Sequence, residues 1–318
     1  MTSAQPLRIG ARGSPLSLAQ TGQFRDALAL AHPERSFEIV PIVTSGDRIQ
    51  DRLLIESGGK GLFTKELDEA LLDGRIDLAV HSMKDLPTQL PDGIVLACVP
   101  LREDPRDALI CDKADTLLDL PSGARIGTAS LRRQAQLMSL GLGFEIVMLR
   151  GNVETRLRKV ASGEMDATLL AYAGLRRLGL ADHAKSLLDP ALSPPAAGQG
   201  ALAVTTRARD LDVLAVLSPL NDQATRLEIT AERAFLAALD GSCRTPIAAL
   251  GRWTDGRLAF IGEALTPDGE HRWRRTGEEP CADEAQAALI GLELGQSIRR
   301  EAGDALYTEQ SALVVNSV

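Results

Sequence analysis

Two stretches of the chain repeat one local pattern. RIGARGSPLSLAQ at 8–20 and RIGTASLRRQAQ at 125–136 each run from a short apolar strand through a tight turn to a serine that opens a helix. Serine suits the N-cap, and in the first copy Pro15 suits the first helical position. Each copy therefore sets a helix N-terminus, with free N–H groups and the positive end of the helix dipole, at the carboxyl end of a strand. Two such units facing one another would form an anion-binding cleft between two lobes. The expected class is α/β, with mainly parallel sheets covered by helices.

The rest of the chain fits that plan. Short apolar runs at Leu7–Gly10, Phe37–Val43, Asp77–Val80 and Ile94–Val99 alternate with helical patterns from Ser14 to Ala31 and from Thr64 to Leu72. Thr44–Gly61 is polar and without periodicity, long enough for a mobile lid or a disordered segment. A second series follows: strands at Ala108–Cys111, Arg125–Gly127, Phe144–Leu149 and Ala167–Ala171, with helices at Ser130–Leu140, Val153–Ala161 and Gly174–Leu180. SPPAAGQGA at 193–201 is breaker-rich and reads as a hinge or crossing segment into a strand at Ala201–Thr205. From about Asn221 the pattern changes to a helix (Thr225–Leu239), strands at Ile247–Arg252, Leu258–Ala264 and Glu270–Arg275, and a closing helix (Asp283–Ala302), a small α+β domain.

Composition excludes several classes. At 318 residues, with 44% hydrophobic and 25% charged residues, the chain can build two or three ordinary cores. Aromatics at 3% leave no stacking platform for single-stranded nucleic acid, and a net charge of −8 repels nucleic acid and anionic membranes alike. No run approaches ~18 apolar residues, and MTSAQPLRIGARGS has no basic stretch before an apolar run, so neither a membrane span nor a signal peptide is expected. Cys98, Cys111, Cys243 and Cys281 are widely spaced, without a CxxC or a nearby His cluster; reduced thiols in a cytoplasmic protein and no metal site are expected. Cys98 and Cys111 read as buried strand residues, and Cys281 as the start of a surface helix.

Of the 35 basic residues 6 are Lys and 29 Arg. Arg12, Arg132, Arg133, Arg150, Arg156 and Arg177 all fall at strand ends or in first helical turns, in the contexts ARGS, SLRRQ, LRGN, ETR and LRRLG. Any one of them fits an ion pair or a solvated helix face. Together they sit where open sheets bind ligands, and a guanidinium fork matches a carboxylate bidentately. His81 in HSMKD fits a satisfied structural histidine. Asp85 fits either a turn aspartate before Leu86-Pro87 or a carboxylate that stabilises a cationic intermediate. Cys243, in a tight loop beside Arg244, fits a loop thiol or, through an electropositive setting, a thiolate for covalent chemistry.

The strings RIGARGSPLSLAQ, GGKGLFTKEL, DLAVHSMKDLP, LREDPRDA, GTASLRRQAQL, LRGNVETRL, LAYAGLRRLGL, PAAGQGAL, TAERAFL and GSCRTPI run in order from 8 to about 250. In that order they resemble the porphobilinogen deaminase (hydroxymethylbilane synthase) family. The resemblance implies three domains: a first lobe at 1–100 plus 200–218, an arginine-rich second lobe at 101–199, and a C-terminal α+β domain at 219–318. The two lobes would be like type II periplasmic binding proteins, with the active site in the cleft between them.

The implied reaction is head-to-tail joining of four porphobilinogen units with release of ammonia, then hydrolysis to hydroxymethylbilane in tetrapyrrole biosynthesis. A dipyrromethane cofactor, held by a thioether at the position of Cys243, would prime the chain. Asp85 matches the catalytic aspartate, hydrogen-bonding pyrrole N–H groups and stabilising the azafulvene. The resemblance assigns the cofactor to Lys84, Asp85, Thr128, Ser130, Arg132, Arg133, Arg150 and Gly151. It assigns the substrate to Arg12, Ser14, Phe63, Ser82, Arg150, Arg156, Arg177 and Gln199, and puts Lys60 in the lid. Ala129, Ser242 and Glu56 depart from the commonest pattern of the family. Porphobilinogen is the one expected partner, with the chain acting as a monomer.

Two other readings compete. A non-enzymatic, two-lobed polycarboxylate-binding protein would explain the arginines but needs neither Cys243 nor the third domain. A cysteine hydrolase would need a His placed near Cys243 in a recognisable motif, and none is present.

Overall fold

The structure, a computed structural model, describes residues 5–45, 64–239 and 245–306. The chain begins with β1 (Leu7–Arg12), α1 (Pro15–Ala31), β2 (Phe37–Ile42), α2 (Lys65–Leu72), β3 (Leu78–Ser82) and β4 (Ile94–Cys98). It continues through β5 (Asp107–Cys111), β6 (Arg125–Gly127), α3 (Leu131–Ser139), β7 (Glu145–Val147), α4 (Val153–Ala161), β8 (Ala167–Ala171), α5 (Tyr172–Arg177) and β9 (Ser186–Leu187). It ends with β10 (Leu202–Arg207), α6 (Leu211–Leu217), α7 (Gln223–Ala238), β11 (Ile247–Thr254), β12 (Arg257–Leu265), β13 (Arg272–Pro280) and α8 (Glu284–Ala302). The sequence reading finds most of these within a few residues and misses α6 and the two-residue β9.

Two compact units result: Met1–Glu103 with Ala201–Arg226, and Asp104–Gly200 with Leu227–Val318. The first holds one sheet in the order β2-β1-β3-β10-β4. The second holds a sheet in the order β7-β6-β8-β5-β9, together with the antiparallel β11-β12-β13 and its helices α7 and α8. The architecture is two α/β lobes plus a small C-terminal α+β domain.

The two five-stranded sheets match position by position. In each, the strand carrying the RIG motif is parallel to both neighbours, and a strand from a distant part of the chain fills the fourth place in the antiparallel sense. Each sheet therefore has two parallel and two antiparallel pairings, not the mainly parallel arrangement expected from alternation. The cause is topological: β10 and β5 do not follow their neighbours through a helical crossover, so nothing holds them parallel.

The correspondence reaches individual side chains. Gly10 and Gly127 occupy the same place in β1 and β6. A Cβ there would meet Ile76 at 2.3 Å and Met165 at 2.1 Å, so only glycine lets those side chains pack across the strand. One residue further on, Asp77 accepts from the Arg8 amide at 2.9 Å and Asp166 from the Arg125 amide at 2.7 Å. Gly74 and Gly163, both with positive φ, turn the chain into β3 and β8, the strands that pair with β1 and β6. GRID at 74–77 and GEMD at 163–166 are thus a second pair of echoes.

Apolar clusters follow the layers. Ile9, Phe24, Leu28, Leu78 and Val80 join α1 to the first sheet, and Leu67, Leu71 and Ile76 pack the other face against α2. Phe235 and Phe260, 5.4 Å apart, centre the C-terminal domain. Cys98 and Cys111 are buried as expected. Cys281 is buried too, contrary to the surface position expected of it, because it lies in the core under α8 just before the Asp283 N-cap.

Candidate active site

In the first unit the strand ends build a pocket of about 60 Å³. β1 ends at Arg12, and Ser14 caps α1 by accepting from the Ser17 amide at 3.3 Å. β3 ends at Ser82 and passes into a single 3₁₀ turn, Met83–Asp85, that leaves Lys84 and Asp85 exposed. Arg12, Ser14, Ser82 and Asp85 line this pocket with Ser17, Gln20 and His81. The pocket lies at the carboxyl ends of two parallel strands beside a helix N-terminus, where an open sheet binds anions. Gln20 accepts from the Ser82 hydroxyl at 3.2 Å. Burial, then the charge of Arg12, pushes the His81 ring down to about 4; it is neutral near pH 7 and bonded to the Thr205 hydroxyl at 3.1 Å. His81 is a structural wall, and Asp85 is the carboxylate that faces solvent.

In the second unit the equivalent turn carries Thr128, which holds the Ser130 amide at 3.1 Å, and Ser130 caps α3. Arg132 and Arg133, in the first turn of α3, are both nearly buried and both paired with Asp107 at 2.8 and 2.7 Å. Arg150 follows β7. Gly151 turns the chain at φ 112, and Arg156 donates to the Gly151 carbonyl at 2.9 Å. Burial lowers the Arg156 guanidinium to about 10, and the charges of Arg133 and Arg150 press it in the same direction. Arg177 donates to the Gly200 carbonyl at 2.7 Å, and Gln199 to Pro105 O and Asp107 Oδ1 at 2.7 and 2.8 Å.

The donor set fits a group bearing several carboxylates. Burial first, and then the charges of Arg133 and Arg150, weaken proton binding at Arg156, so positive charge is in excess there; among the described residues Asp107 is the carboxylate hydrogen-bonded to both Arg132 and Arg133. An anionic ligand would relieve that excess. Lys60, Phe63 and Cys243, and the departures Glu56 and Ser242, lie outside the described residues; Ala129 is exposed beside Ser130. Among the described residues no cluster of His, Cys, Asp or Glu could hold a metal ion, and no helix is long and apolar enough to cross a membrane.

Comparison with known proteins agrees with this chemistry. Residues 7–215 match the porphobilinogen deaminase, dipyromethane cofactor binding domain, and residues 226–300 match the porphobilinogen deaminase, C-terminal domain. The chain belongs to the porphobilinogen deaminase family. A porphobilinogen deaminase of Caulobacter sp. (strain K31) is 58% identical over 316 residues, covering 96% of this chain and 98% of that one. That of Phenylobacterium zucineum (strain HLK1) is 54% identical over 319 residues, 96% and 99% of the two chains. Among solved structures, a nutrient binding protein from Burkholderia cenocepacia bound to methionine overlaps at 17% identity and a TM-score of 0.41, over 67% of this chain and 90% of that one.

Sequence reading located the arginines of this porphobilinogen deaminase family member but missed what holds them. Asp107, Gln136 and Glu263 are buried polar groups of the arginine network; the first two lie in the LREDPRDA and GTASLRRQAQL strings, but none of the three was given a role. The available signal was an aspartate opening the otherwise apolar DALIC, since a charge entering a buried strand demands a partner.

Proposed function

We propose that this chain is a porphobilinogen deaminase: it joins four porphobilinogen molecules head to tail, releases ammonia at each addition and hydrolyses the product to hydroxymethylbilane. The observation that carries this is the near full-length family match joined to the cluster of Arg132, Arg133, Arg150 and Arg156 in the second unit. A dipyrromethane bound through Cys243 supplies the nucleophilic pyrrole carbon that starts the chain. Asp85, exposed on its turn, accepts pyrrole N–H groups and stabilises the positive charge that develops as the substrate loses ammonia. Lys84, Thr128, Ser130, Arg132, Arg133, Arg150 and Gly151 hold the acetate and propionate arms of the cofactor. Arg12, Ser14, Phe63, Ser82, Arg150, Arg156, Arg177 and Gln199 hold those of the substrate, with Lys60 over them. The enzyme acts in the cytoplasm as a monomer. Its domains are drawn at 1–100 with 200–218, 101–199 and 219–318, supported by the separate apolar cluster of the last.

The test is intact mass with turnover. Purified protein is expected to exceed its sequence mass by one dipyrromethane, and Cys243→Ser to lose the excess. Asp85→Ala is expected to keep the excess and lose most turnover. An active enzyme of unmodified mass would overturn the cofactor assignment.

A further inference from the structure

Asp107 opens β5 and is 1% exposed. Its two oxygens receive four donors: Arg132 Nη2 at 2.8 Å and Arg133 Nε at 3.3 Å on Oδ2, Arg133 Nη2 at 2.7 Å and Gln199 Nε2 at 2.8 Å on Oδ1. Arg133 is therefore gripped by two nitrogens, which fixes the plane of its guanidinium as well as its place. Arg132 is held from the other side by Gln136 Oε1 at 2.8 Å and Pro194 O at 3.0 Å. Gln136 in turn donates to Glu263 Oε1 at 2.9 Å, and Glu263 also receives Arg272 and Arg274. This rigid frame places two cationic side chains and one amide around a single carboxylate.

The charge count matters as much as the geometry. Among the described residues Asp107 is the carboxylate hydrogen-bonded to both guanidiniums; Glu263 adds a more distant negative charge at Arg132, and Arg156, beside Arg150, lies within electrostatic reach of Arg133. Without Asp107 the two buried arginines would lose the carboxylate that both of them hydrogen-bond.

We propose that Asp107 is a positioning residue for cofactor binding: it aims Arg132 and Arg133 at the cofactor's carboxylates and sets the strength of the field they meet. The proposal rests on the porphobilinogen deaminase reading above. It assigns no contact between Asp107 and the cofactor, and its consequence is a coupling between residue and ligand.

The coupling is measured as a difference. In wild type, the thermal midpoint of the cofactor-loaded protein exceeds that of Cys243→Ser by a gap that reports cofactor binding to the folded state. The same gap is measured between Asp107→Asn and Asp107→Asn/Cys243→Ser, with intact mass confirming which proteins carry dipyrromethane. A merely structural Asp107 lowers both midpoints together and leaves the gap intact, and that result overturns the proposal. The expected result is a gap shrunk to less than half, or a cooperatively folding Asp107→Asn protein that carries no dipyrromethane. Should Asp107→Asn lack a cooperative transition, Asp107→Glu, which keeps the charge and displaces it by one methylene, is read by the same gap and the same criterion. A wild type with no mass excess and no gap would instead reject the underlying reading of function.

Discussion

Two aspartates show how far neighbours decide what a residue does. Burial alone would raise Asp107, but the charges of Arg132 and Arg133 outweigh it and hold the carboxyl far below the usual carboxylate range. Asp68, on α2 and 6% exposed, has no such partner among the described residues; burial pushes it up from 3.8 to about 6, and the Thr64 hydroxyl offsets only part. The sign follows from the direction. The fold prefers protonated Asp68, so its favourable contribution is complete below about pH 4 and is lost as pH rises through about 6. Asp68→Asn, which removes the charge, is expected to stabilise the protein by about 1 kcal/mol near pH 8, after allowance for solvent screening, and to change little near pH 4. Urea denaturation at the two pH values checks this; equal effects at both would reject it.

Among elements, the helix pair α7 and α8 is set by glycine. A Cβ on Gly291 would stand 2.0 Å from the Ala231 carbonyl oxygen, and one on Gly295 would stand 2.9 Å from that of Phe235. The obstacle is backbone, which cannot swing aside as a side-chain tip can. Gly22, in α1, meets nothing within 4 Å. The same substitution should thus have opposite signs. Gly22→Ala gains helix propensity and is expected to stabilise by about 0.5–1 kcal/mol. At Gly291 overpacking of about 1–3 kcal/mol exceeds that gain, and Gly291→Ala is expected to lower the thermal midpoint. Matching shifts in the two variants would sink the argument.

At the scale of the molecule, the sheets are not assembled from contiguous chain. β10 lies between β3 and β4, so the first unit's sheet is incomplete until residues 202–207 arrive. A fragment ending at Glu103 keeps β2, β1 and β3 together but leaves one edge of β3 unpaired and β4 without its partner strand. It is expected to show no cooperative thermal transition, whereas 1–103 joined to 201–226 through a flexible Gly/Ser linker regains one. A cooperatively folding 1–103 fragment would show that β10 is dispensable. The net charge of −8 likewise belongs to the whole chain, and the local sign is reversed where Arg133, Arg150 and Arg156 meet.

Much was determined by the sequence alone, for a local reason. Caps, turns and strand–helix periodicity depend on neighbours a few residues away, so Ser14, Ser130 and the RIG repeat announced two matching βα units with arginines at their ligand-binding ends. The long HSMKDLP, LRGNVETRL and AGLRRLG strings carried the family. Tertiary structure decided the rest, because strand direction and buried charge are properties of contacts between distant residues. The antiparallel sense of β5 and β10, the burial of Cys281 and the grip of Asp107 on Arg132, Arg133 and Gln199, as many as 92 residues apart, leave no local pattern. The arginines were legible because their positions repeat; the carboxylate that aims two of them was not, because a single buried aspartate acquires its meaning only from what folds against it.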